Sequence, residues 1–585
     1  MNRTLSIVIP CYNEEATLAT LLDRVLATSL PGWNKEVIVV DDASTDGTPA
    51  ILAAYASRIT VRRLARNGGK GTAVAEGLGV AAGDFILIQD ADLEYAPEEI
   101  SRLTNAVQDE RSVVYGSRNL ENPQRTGFWI PRLGVWGITV LINVLYGARL
   151  TDAWTCYKLF PASAKRFFPA GRFDAEIMFT LELVRKGYAI DEVPITHSPR
   201  DAAHGKKIQY TDGLRVIGLI LKDSIQHIRP FWLFLLTLIM LATLSFAVLK
   251  PAFSLEGDAP SYIASVQFLQ AGAVDAHFVP NRILTTFLGL EAISLLSQVT
   301  GGNLQTAWLL LNAIFYVLGG LVFYLMLLTV FRSQSVAFLG GLFLAANYAY
   351  LTFGLSYFMD MGGWFFYLLA LFFTAYYLYS RRTRHLYWSA VAIGVGVLFK
   401  EYALLGVIPL ILTVVWEKWP RAGAASKQLI PLGTLVCIPL ILLYLYVYLR
   451  FGYTYADWFT FNHSYYVYSS RLIEYVKAGG VLVNFLALPV LLGAYQLFVQ
   501  KGKALARPHR MFVGAVIVSA LPAFIWPAIT ERILFITIPA LILIASIAFK
   551  RYEQRWFVFL PILGLYGLMS LYMDSVILPQ INLPF

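Results

Sequence analysis

A succession of apolar segments through residues 231–585 constrains the fold of this chain more than any other feature. These residues hold 21 Lys and Arg against 12 Asp and Glu, whereas residues 1–230 hold 26 of each and read as an ordinary globular domain. An apolar run of about 20 residues is long enough to cross a bilayer as a helix, and only helices or closed barrels satisfy the backbone there. We therefore predict an all-α polytopic membrane domain of about eleven transmembrane helices, near 231–249, 306–331, 336–354, 361–380, 386–399, 402–416, 429–449, 481–500, 511–527, 533–549 and 556–573.

The net charge of +9 lies wholly in this second half, in short turns between apolar segments. Such a distribution indicates membrane topology rather than binding to a nucleic-acid polymer. If residue 230 is cytoplasmic, alternation of the spans places fourteen Lys and Arg in the inner turns and seven outside. The count requires that 283–299, which contains Glu291, is an amphipathic helix of the outer loop and does not span the membrane. We expect a multi-pass protein of the cell (inner) membrane with two long outer loops, 250–305 and 450–480.

Residues 1–230 alternate predicted strands and helices. The strand candidates are 5–10, 36–42, 60–65, 85–88 and 112–118, and the helices between them are 14–28, 44–58, 70–80 and 97–109. This βαβα order predicts an α/β, Rossmann-like domain with a mostly parallel sheet and a ligand site at the carboxyl ends of its strands. The opening run LSIVIP is too short for a signal peptide, so we expect the domain to remain in the cytoplasm.

Polar side chains follow three of these strands. Tyr12, Asn13 and Glu14 follow the first, Asp41 and Asp42 end the second, and Asp90, Asp92 and Glu94 follow the apolar run FILI. Asp90 and Asp92 are two residues apart on a strand and so point the same way. Oxygen-only ligands suit Mg²⁺ or Mn²⁺, and such a metal is commonly shared with substrate phosphates. The three clusters together predict a crevice in which carboxylates bind a nucleoside and a metal holds a diphosphate.

Other residues in this half carry weaker signals. Asp46 and Thr48 are best explained as structural caps of the helix that follows them. The turn NGGKG (67–71) lacks the spacing of a P-loop, so Lys70 either reaches a phosphate or is a solvated lysine. Three widely spaced cysteines form neither a disulfide framework nor a zinc pattern.

The motifs PCYNEE, VVDDASTDGT, GGKGTAVAEGL, QDADLEY, GSR, TDAWTCYKLF and RFDAEIMFTLELVRKGYAIDEVPI resemble, in this order, the family-2 glycosyltransferases of GT-A fold. The resemblance covers about 1–225 and is nearest to the dolichyl- or polyprenyl-phosphate sugar synthases. It implies transfer of a sugar from a GDP- or UDP-linked donor to a polyprenyl phosphate such as undecaprenyl phosphate, with inversion. The roles that it implies are nucleotide-sugar binding by Pro10, Tyr12, Glu14, Val40, Asp42 and Asp90, catalysis by Asp90 and Asp92 through a metal held by Asp90, Asp92 and Glu94, and acceptor-phosphate binding by Arg118, Arg200 and Lys207.

Two positions depart from the family pattern. The third acidic position, Glu94, is Gln in some relatives, which bears on metal preference. The usual Gly-x-Ser-Lys loop reads HGKKI (204–208), so that Lys206 competes with Lys207 for the assignment.

Residues 127–150 are strongly apolar within this otherwise soluble domain. One interpretation is a buried core helix. The other is an amphipathic interfacial helix, which Pro131 with the flanking Trp129, Arg132 and Trp136 favours, since Trp and Arg prefer the headgroup zone. We prefer the interfacial helix because it would hold the site beside a lipid acceptor.

The membrane half resembles the GT-C glycosyltransferases, which use polyprenyl-phosphate sugars on the outer face. The resemblance implies that Asp258 in the first outer loop is a catalytic base, with Glu256 second, and that Lys400 and Arg532 bind lipid phosphate. The alternatives are an Asx turn at Asp258 and a buried pair between Lys400 and Glu401 that orients two short helices.

Three functions fit the sequence. The leading hypothesis is a two-stage glycosylation protein, whose cytoplasmic domain charges a polyprenyl phosphate and whose membrane domain uses the product across the bilayer. A second keeps the synthase and makes the membrane half a non-catalytic lipid-binding or translocating module. A third, a processive polysaccharide synthase, is disfavoured because the chain has no Gln-x-x-Arg-Trp motif and more spans than a secretion channel needs.

Overall fold

The computed structural model describes residues 3–120, 129–171, 174–196, 210–227, 229–246, 259–272, 280–352, 354–357, 359–418, 422–454, 456–457, 486–498, 507–524 and 535–572. The chain divides into two compact units, Met1–Arg229 and Pro230–Phe585. The boundary lies where the charge composition changes.

The first unit is an α/β domain around one seven-stranded sheet. Its strands are β1 (Arg3–Cys11), β2 (Trp33–Asp41), β3 (Thr60–Arg63), β4 (Phe85–Ile88), β5 (Val113–Ser117), β6 (Lys158–Pro161) and β7 (Ile190–Pro194). Its helices are α1 (Leu18–Ala27), α2 (Thr48–Tyr55), α3 (Lys70–Val80), α4 (Ile100–Asn105), α5 (Trp129–Tyr146), α6 (Asp174–Arg185) and α7 (Tyr210–His227), with short 3₁₀ turns at Pro97–Glu99 and Ala162–Phe167. The five strands expected from the sequence are all present, and β6 and β7 complete the sheet.

The sheet is mixed, with the order β3-β2-β1-β4-β6-β5-β7. The β1–β2, β2–β3, β1–β4 and β5–β7 pairs are parallel, and β6 lies antiparallel between β4 and β5. The chain builds outward from β1 through β2 to β3 and then returns to place β4 on the other side of β1. The loops after β1 and β4 therefore diverge at a topological switch point, where open α/β sheets bind their ligands.

The central strands read as continuous apolar runs because both of their faces are covered. Ile7, Ile9, Val39 and Leu87 are fully buried and pack in one cluster with α1, through Leu21 and its neighbours. Strands buried on both faces lose the polar alternation of a half-exposed sheet. The result is a rigid platform whose polar residues begin where the strands end.

Helix α5 is amphipathic in its described part. Ile138, Ile142 and Leu145 are buried at the i, i+4, i+7 spacing of one helical face, whereas Trp136 is 56% exposed. A helix buried on all sides would not expose this indole. The geometry favours the amphipathic of the two sequence interpretations, and contact with a membrane stays a prediction.

The second unit is helical throughout the described residues. Its helices are α8 (Arg229–Leu244), α9 (Ala259–Ala271), α10 (Pro280–Val299), α11 (Leu304–Phe331), α12 (Gln334–Ala345), α13 (Tyr348–Thr352), α14 (Asp360–Ser380), α15 (Arg384–Val397), α16 (Val407–Lys418), α17 (Ala422–Phe451), α18 (Ala487–Phe498), α19 (Arg507–Ala520), α20 (Thr537–Arg551) and α21 (Leu560–Tyr572). Helix α17 exposes large apolar side chains, among them Leu442 at 61% and Leu449 at 74%. Exposed apolar surface of this extent suits contact with lipid rather than water.

Four helical segments among the described residues are long and apolar enough to cross a membrane, or up to five if a bent helix pair counts as one span: Arg282–Val299, Leu304–Phe331, Asp360–Ser380 and Lys427–Phe451. Shorter apolar helices such as Gln334–Ala345 and Ala487–Leu497 accompany them. The predicted count of eleven is therefore not confirmed, because several apolar segments form helices of only 12 to 15 residues.

The expectation that 283–299 is an amphipathic helix of the outer loop stays a prediction. By length and composition this segment meets the requirements of a span, although its helix α10 is kinked at Thr286. The alternation that placed fourteen basic residues inside excludes this segment as a span, so that topology also stays a prediction.

Candidate active site at the carboxyl ends of β1, β2 and β4

The loops after β1 and β2 are tied together by side-chain hydrogen bonds. Asn13 donates its backbone N–H to Ser44 Oγ at 3.0 Å and accepts the Thr45 N–H on Oδ1 at 2.9 Å. The Glu15 N–H reaches Asp46 Oδ2 at 3.2 Å, and Asp46 Oδ1 accepts the Thr48 N–H at 3.0 Å. Helix α2 therefore begins at Thr48 rather than at the predicted residue 44, because the residues before it are used to join two strand ends.

Each of the three site loops contains one non-glycine residue in the left-handed region. These residues are Asn13 (φ 53°), Ala43 (φ 62°) and Leu93 (φ 59°), which follow β1, β2 and β4 respectively. A left-handed backbone costs of order 1 kcal/mol or more for residues with a Cβ and concentrates where the surroundings fix a functional loop. The loops are thus held in defined shapes, and the sequence pattern did not predict these left-handed residues.

A hydroxyl bridges the two sides of the switch point. Thr17 Oγ1 lies 3.0 Å from Glu14 Oε2 and 2.9 Å from the carbonyl oxygen of Ala91. Glu14 itself is buried, and its N–H donates to Thr48 Oγ1 at 2.9 Å. The loop after β1 and the loop that carries Asp90 and Asp92 therefore meet, as the sequence predicted.

The acidic turn, residues 90–94, is stabilised by hydrogen bonds from the residue that precedes it. Gln89 is fully buried and donates from Nε2 to the carbonyl oxygens of Asp90 and Tyr95, both at 3.2 Å. Asp92 Oδ1 accepts the Glu94 N–H at 3.2 Å. Asp90, Asp92 and Glu94 are each half-buried at this edge of the sheet, which leaves carboxylates facing a site that solvent can enter.

Asp42 holds the glycine-rich turn. Its carboxylate is almost fully buried and accepts the N–H of Gly68 on Oδ1 at 2.7 Å and the N–H of Gly69 on Oδ2 at 2.8 Å. Gly69 has φ 86°, a conformation that disfavours any side chain, and it directly precedes Lys70, where α3 begins. The carboxylate expected to bind nucleotide thus has a second task, which is to fix the residue before Lys70.

Lys70 is not solvated, contrary to one of the two sequence alternatives. Its side chain is 11% exposed, and Nζ lies 2.5 Å from Asp90 Oδ1 and 2.8 Å from Glu176 Oε1. Burial alone would lower the pKa of Lys70, but the charges of Asp90 and Glu176 outweigh it and hold the pKa well above its ordinary value. Burial likewise opposes ionisation of Glu176, yet Lys70 and Lys158 bring the pKa of Glu176 below its usual value.

Arg118 is committed to a buried aspartate. Its Nε and Nη2 lie 2.6 and 2.8 Å from the two carboxylate oxygens of Asp152, and its backbone N–H reaches the same carboxylate at 3.1 Å. Burial raises and Arg118 lowers the pKa of Asp152, with a net shift downward. Arg118 therefore fixes the end of β5 to the TDAWTCYKLF segment, and binding of an acceptor phosphate by Arg118 stays a prediction.

The structure places the remaining predicted residues as follows. Pro10 and Val40 are buried and paired across β1 and β2, next to the half-buried Tyr12. Lys400 is buried, with Nζ 4.0 Å from Glu401 Oε2, which is the geometry of the structural alternative. The following predicted residues lie outside the described part of the chain: Arg200, Lys206, Lys207, Glu256, Asp258 and Arg532.

Sequence reasoning did not assign Asp152, Cys156, Lys158 or Glu176. In the described part of the chain, one group of potential metal-ligand atoms, from Asp90, Cys156 and Glu176, lies within 4.8 Å of one another, and Asp92 and Glu94 are not members of it. The sequence did contain a sign that Glu176 has a specific role, because this residue interrupts the otherwise apolar run AEIMF. Its partner could not be read from the sequence, since Lys70 is more than a hundred residues away.

Two protein families match parts of this chain. Residues 6–166 match the family described as Glycosyl transferase family 2, and residues 261–446 match the family described as Dolichyl-phosphate-mannose-protein mannosyltransferase. The first unit is therefore similar to the family-2 glycosyltransferases, as its motifs predicted, and part of the second unit is similar to the mannosyltransferase family.

The similar curated proteins include transferases named for polyprenyl phosphates. The chain is similar to undecaprenyl-phosphate 4-deoxy-4-formamido-L-arabinose transferase of Aeromonas hydrophila, at 42% identity over 161 residues that cover 26% of this chain and 48% of the relative. It is 29% identical over 208 residues to dodecaprenyl-phosphate galacturonate synthase of Rhizobium johnstonii, covering 34% of this chain and 60% of the relative. The chain thus spans about half the length of the curated relatives that it matches.

Solved structures give a weaker likeness. The glucosyl-3-phosphoglycerate synthase of Mycobacterium tuberculosis, solved with Mn²⁺, uridine diphosphate and glucosyl-3-phosphoglycerate, matches with a TM-score of 0.31 and 20% identity, over 38% of this chain and 80% of that one.

Proposed function

We propose that the first unit transfers a sugar from a nucleotide-sugar to a polyprenyl phosphate at the cytoplasmic face of the cell membrane. The observation that supports this most is the meeting of three polar loops at the β1/β4 switch point, with Asp90, Asp92 and Glu94 on one side and the β1 and β2 loops on the other. The relatives named above, which carry polyprenyl phosphates in their names, support the acceptor class.

The donor would lie across the ends of β1 and β2. Pro10, Tyr12, Glu14, Val40 and Asp42 line that edge, and we assign them to the nucleoside of a GDP- or UDP-linked sugar. The paired, buried backbone at Pro10 and Val40 gives this edge a fixed shape. The loops after β1 and β2 are joined by hydrogen bonds of Asn13 to Ser44 and Thr45, which also holds the shape of this edge.

The residues of the acidic turn fit a divalent metal. Their donors are half-buried carboxylate oxygens, which suit Mg²⁺ or Mn²⁺. One Asp90 oxygen is already paired with Lys70, so Asp90 would offer its other oxygen, together with Asp92 and Glu94. A metal bound there would supply charge stabilisation to the departing diphosphate.

The chain's own residues have to manage negative charge rather than move a proton. A lipid phosphate is ionised near neutral pH, so it needs no general base, and we assign none in this unit. Attack by an anion on an anionic donor requires fixed positive charge around both. Arg118, Arg200 and Lys207 are assigned to the acceptor phosphate, since guanidinium makes forked contacts to phosphate and ammonium acts as a point charge.

The substitution Asp92→Ala tests this site in membranes containing the full chain. We expect loss of polyprenyl-linked sugar formation with and without added Mn²⁺, because the metal would lose a ligand that no neighbour replaces. Asp109→Ala is the matched control, since Asp109 is an acidic residue of an exposed turn whose bonds are local. Near-normal turnover in Asp92→Ala would refute the assignment.

For the membrane unit we propose use of the polyprenyl-phosphate sugar on the outer face, with Asp258 as the base. The match of 261–446 to a mannosyltransferase family supports this over a passive module. In Asp258→Asn, we expect lipid-linked sugar to accumulate while transfer to the final acceptor stops. Unchanged transfer in that variant would favour the non-catalytic lipid-binding or translocating module.

A further inference from the structure

The ammonium of Lys70 lies between the carboxylates of Asp90 and Glu176. It lies 2.5 Å from Asp90 and 2.8 Å from Glu176, whose side chains are 14% and 2% exposed. Lys158, which is fully buried, lies 3.7 Å from the other Glu176 oxygen. Two carboxylates and two ammonium groups therefore balance each other's charge beneath the acidic turn.

The thiol of Cys156 completes the lining of this position. The ligand atoms of Asp90, Cys156 and Glu176 all lie within 4.8 Å of one another. One sulfur and two carboxylate oxygens at that spacing form a ligand set suited to Zn²⁺ or Cd²⁺ rather than to Mg²⁺. In this protein the cation at that position is the ammonium group of Lys70.

Lys70 is also held so that it cannot easily leave. The two residues before it donate their N–H groups to Asp42, and two residues after it Thr72 donates its N–H to the carbonyl oxygen of Gly171 at 2.8 Å. The start of α3 is thus fixed on both sides of the lysine. A cation anchored in this way is not exchanged by changes in the metal content of the solution.

We propose that Lys70 is a positioning residue that determines the metal specificity of the site. By occupying the space between Asp90, Cys156 and Glu176, it keeps the thiol from coordinating and leaves only the outer carboxylate oxygens to a divalent ion. An ion bound at those oxygens is a hard one such as Mg²⁺ or Mn²⁺. The link to catalysis rests on the proposed function, whereas the exclusion of soft metals by Lys70 does not.

Removing the Lys70 ammonium should make the space between Asp90, Cys156 and Glu176 available to a metal ion. In Lys70→Met the two carboxylates keep only Lys158 as a counter-charge, and a divalent ion restores the balance. Coordination by Cys156 releases its thiol proton to the buffer, so that the metal meets a thiolate. Lys70→Arg keeps the positive charge and should keep the site closed.

The test uses the purified full chain in detergent and titrates Cd²⁺, following the thiolate-to-metal absorption band. We expect Lys70→Met to bind Cd²⁺ at least ~10-fold more tightly than the unaltered protein, in the range by which neighbours of metal ligands change affinity. Adding Cys156→Ser to Lys70→Met should abolish the band. Lys186→Met, which removes an exposed lysine paired at 3.8 Å with Glu182, should leave Cd²⁺ binding unchanged.

A Lys70→Met band that is absent, or that survives Cys156→Ser, would overturn the proposal. A second comparison needs no change at Lys70: in the otherwise unaltered protein, Cys156→Ser should not weaken Cd²⁺ binding, and a loss there would show that the thiol is already accessible to metal. Both readouts are independent of glycosyl transfer. A chain that shows them but makes no lipid-linked sugar would retain this role for Lys70 and refute the proposed function.

Discussion

Replacing Asp42 by Asn separates two roles for this carboxylate, which the sequence assigns to the nucleotide and the structure ties to the NGGKG turn. The carboxylate accepts two N–H groups, from Gly68 at 2.7 Å and from Gly69 at 2.8 Å. An Asn side chain has one accepting oxygen and turns its NH₂ group toward the second donor. One N–H therefore loses its partner, at a cost of about 1–3 kcal/mol.

The exchange rate of these two amides measures that cost directly. If local opening of the turn becomes easier by about 2 kcal/mol, the Gly68 and Gly69 amides should exchange roughly 30-fold faster, since about 1.4 kcal/mol is a factor of ten. Hydrogen–deuterium exchange with mass spectrometry on the full chain reads this in a peptide covering the turn. Asp46→Asn, in the loop between β2 and α2, is the matched control and should leave that peptide unchanged, because Asp46 bonds to Glu15 and Thr48 and not to the glycine-rich turn.

Unchanged exchange in Asp42→Asn would refute the anchoring role. If such a variant also bound donor nucleotide more weakly, Asp42 would act as a nucleotide ligand alone. Faster exchange together with weaker binding fits both roles, because the turn also carries Lys70 to the metal side of the site.

Two further predictions concern stability. Asp152→Asn should cost about 3–5 kcal/mol by leaving the buried Arg118 guanidinium without its carboxylate. Because the pKa of Asp152 in the folded protein lies below 3.8, the stabilisation from the Arg118–Asp152 ion pair is present in full above pH 3.8 and is lost as the pH falls further. The unfolding midpoints of the unaltered protein and of Asp152→Asn should therefore converge below pH 3.8. A constant difference between the two midpoints down to pH 3 would contradict the ion pair. Gly77→Ala should destabilise by about 1–3 kcal/mol, since its Cβ would lie 2.5 Å from Val8 Cγ1. Gly79→Ala on the open side of the same helix should be neutral or stabilising by about 0.5–1 kcal/mol, and equal thermal midpoints for the two variants would refute the packing argument.

Most of the sheet of the first unit was predictable because β1, β2, β4 and β5 contain apolar runs that are bounded by turn residues. The strands β6 and β7 were not, since Lys158 and Glu192 interrupt their apolar pattern and only tertiary contacts explain them. Lys158 is buried against Glu176, and Glu192 accepts the N–H of Thr151 at 2.8 Å. Local periodicity carries no information about such partners.

Within the candidate site, the sequence placed the acidic residues at strand ends but did not indicate the bonds that hold them. The strand-end position of Asp90 was sufficient to place it in the crevice. The approach of Lys70 and Glu176 to Asp90 depends on how α3 and α6 pack on the sheet, and no spacing in the chain encodes that. The count of eleven spans is not confirmed for a different reason, because hydropathy locates apolar segments but does not fix whether each helix is long enough to cross.

Formation of lipid-linked sugar tests the proposed synthase most directly. Membranes containing the full chain would be incubated with a panel of radiolabelled GDP- and UDP-sugars, undecaprenyl phosphate and Mg²⁺ or Mn²⁺, and the lipid would then be extracted. We expect label in the lipid fraction with at least one donor, dependent on added undecaprenyl phosphate and lost in Asp92→Ala. No labelled lipid with any donor, in membranes where the chain is folded, would contradict the proposed function.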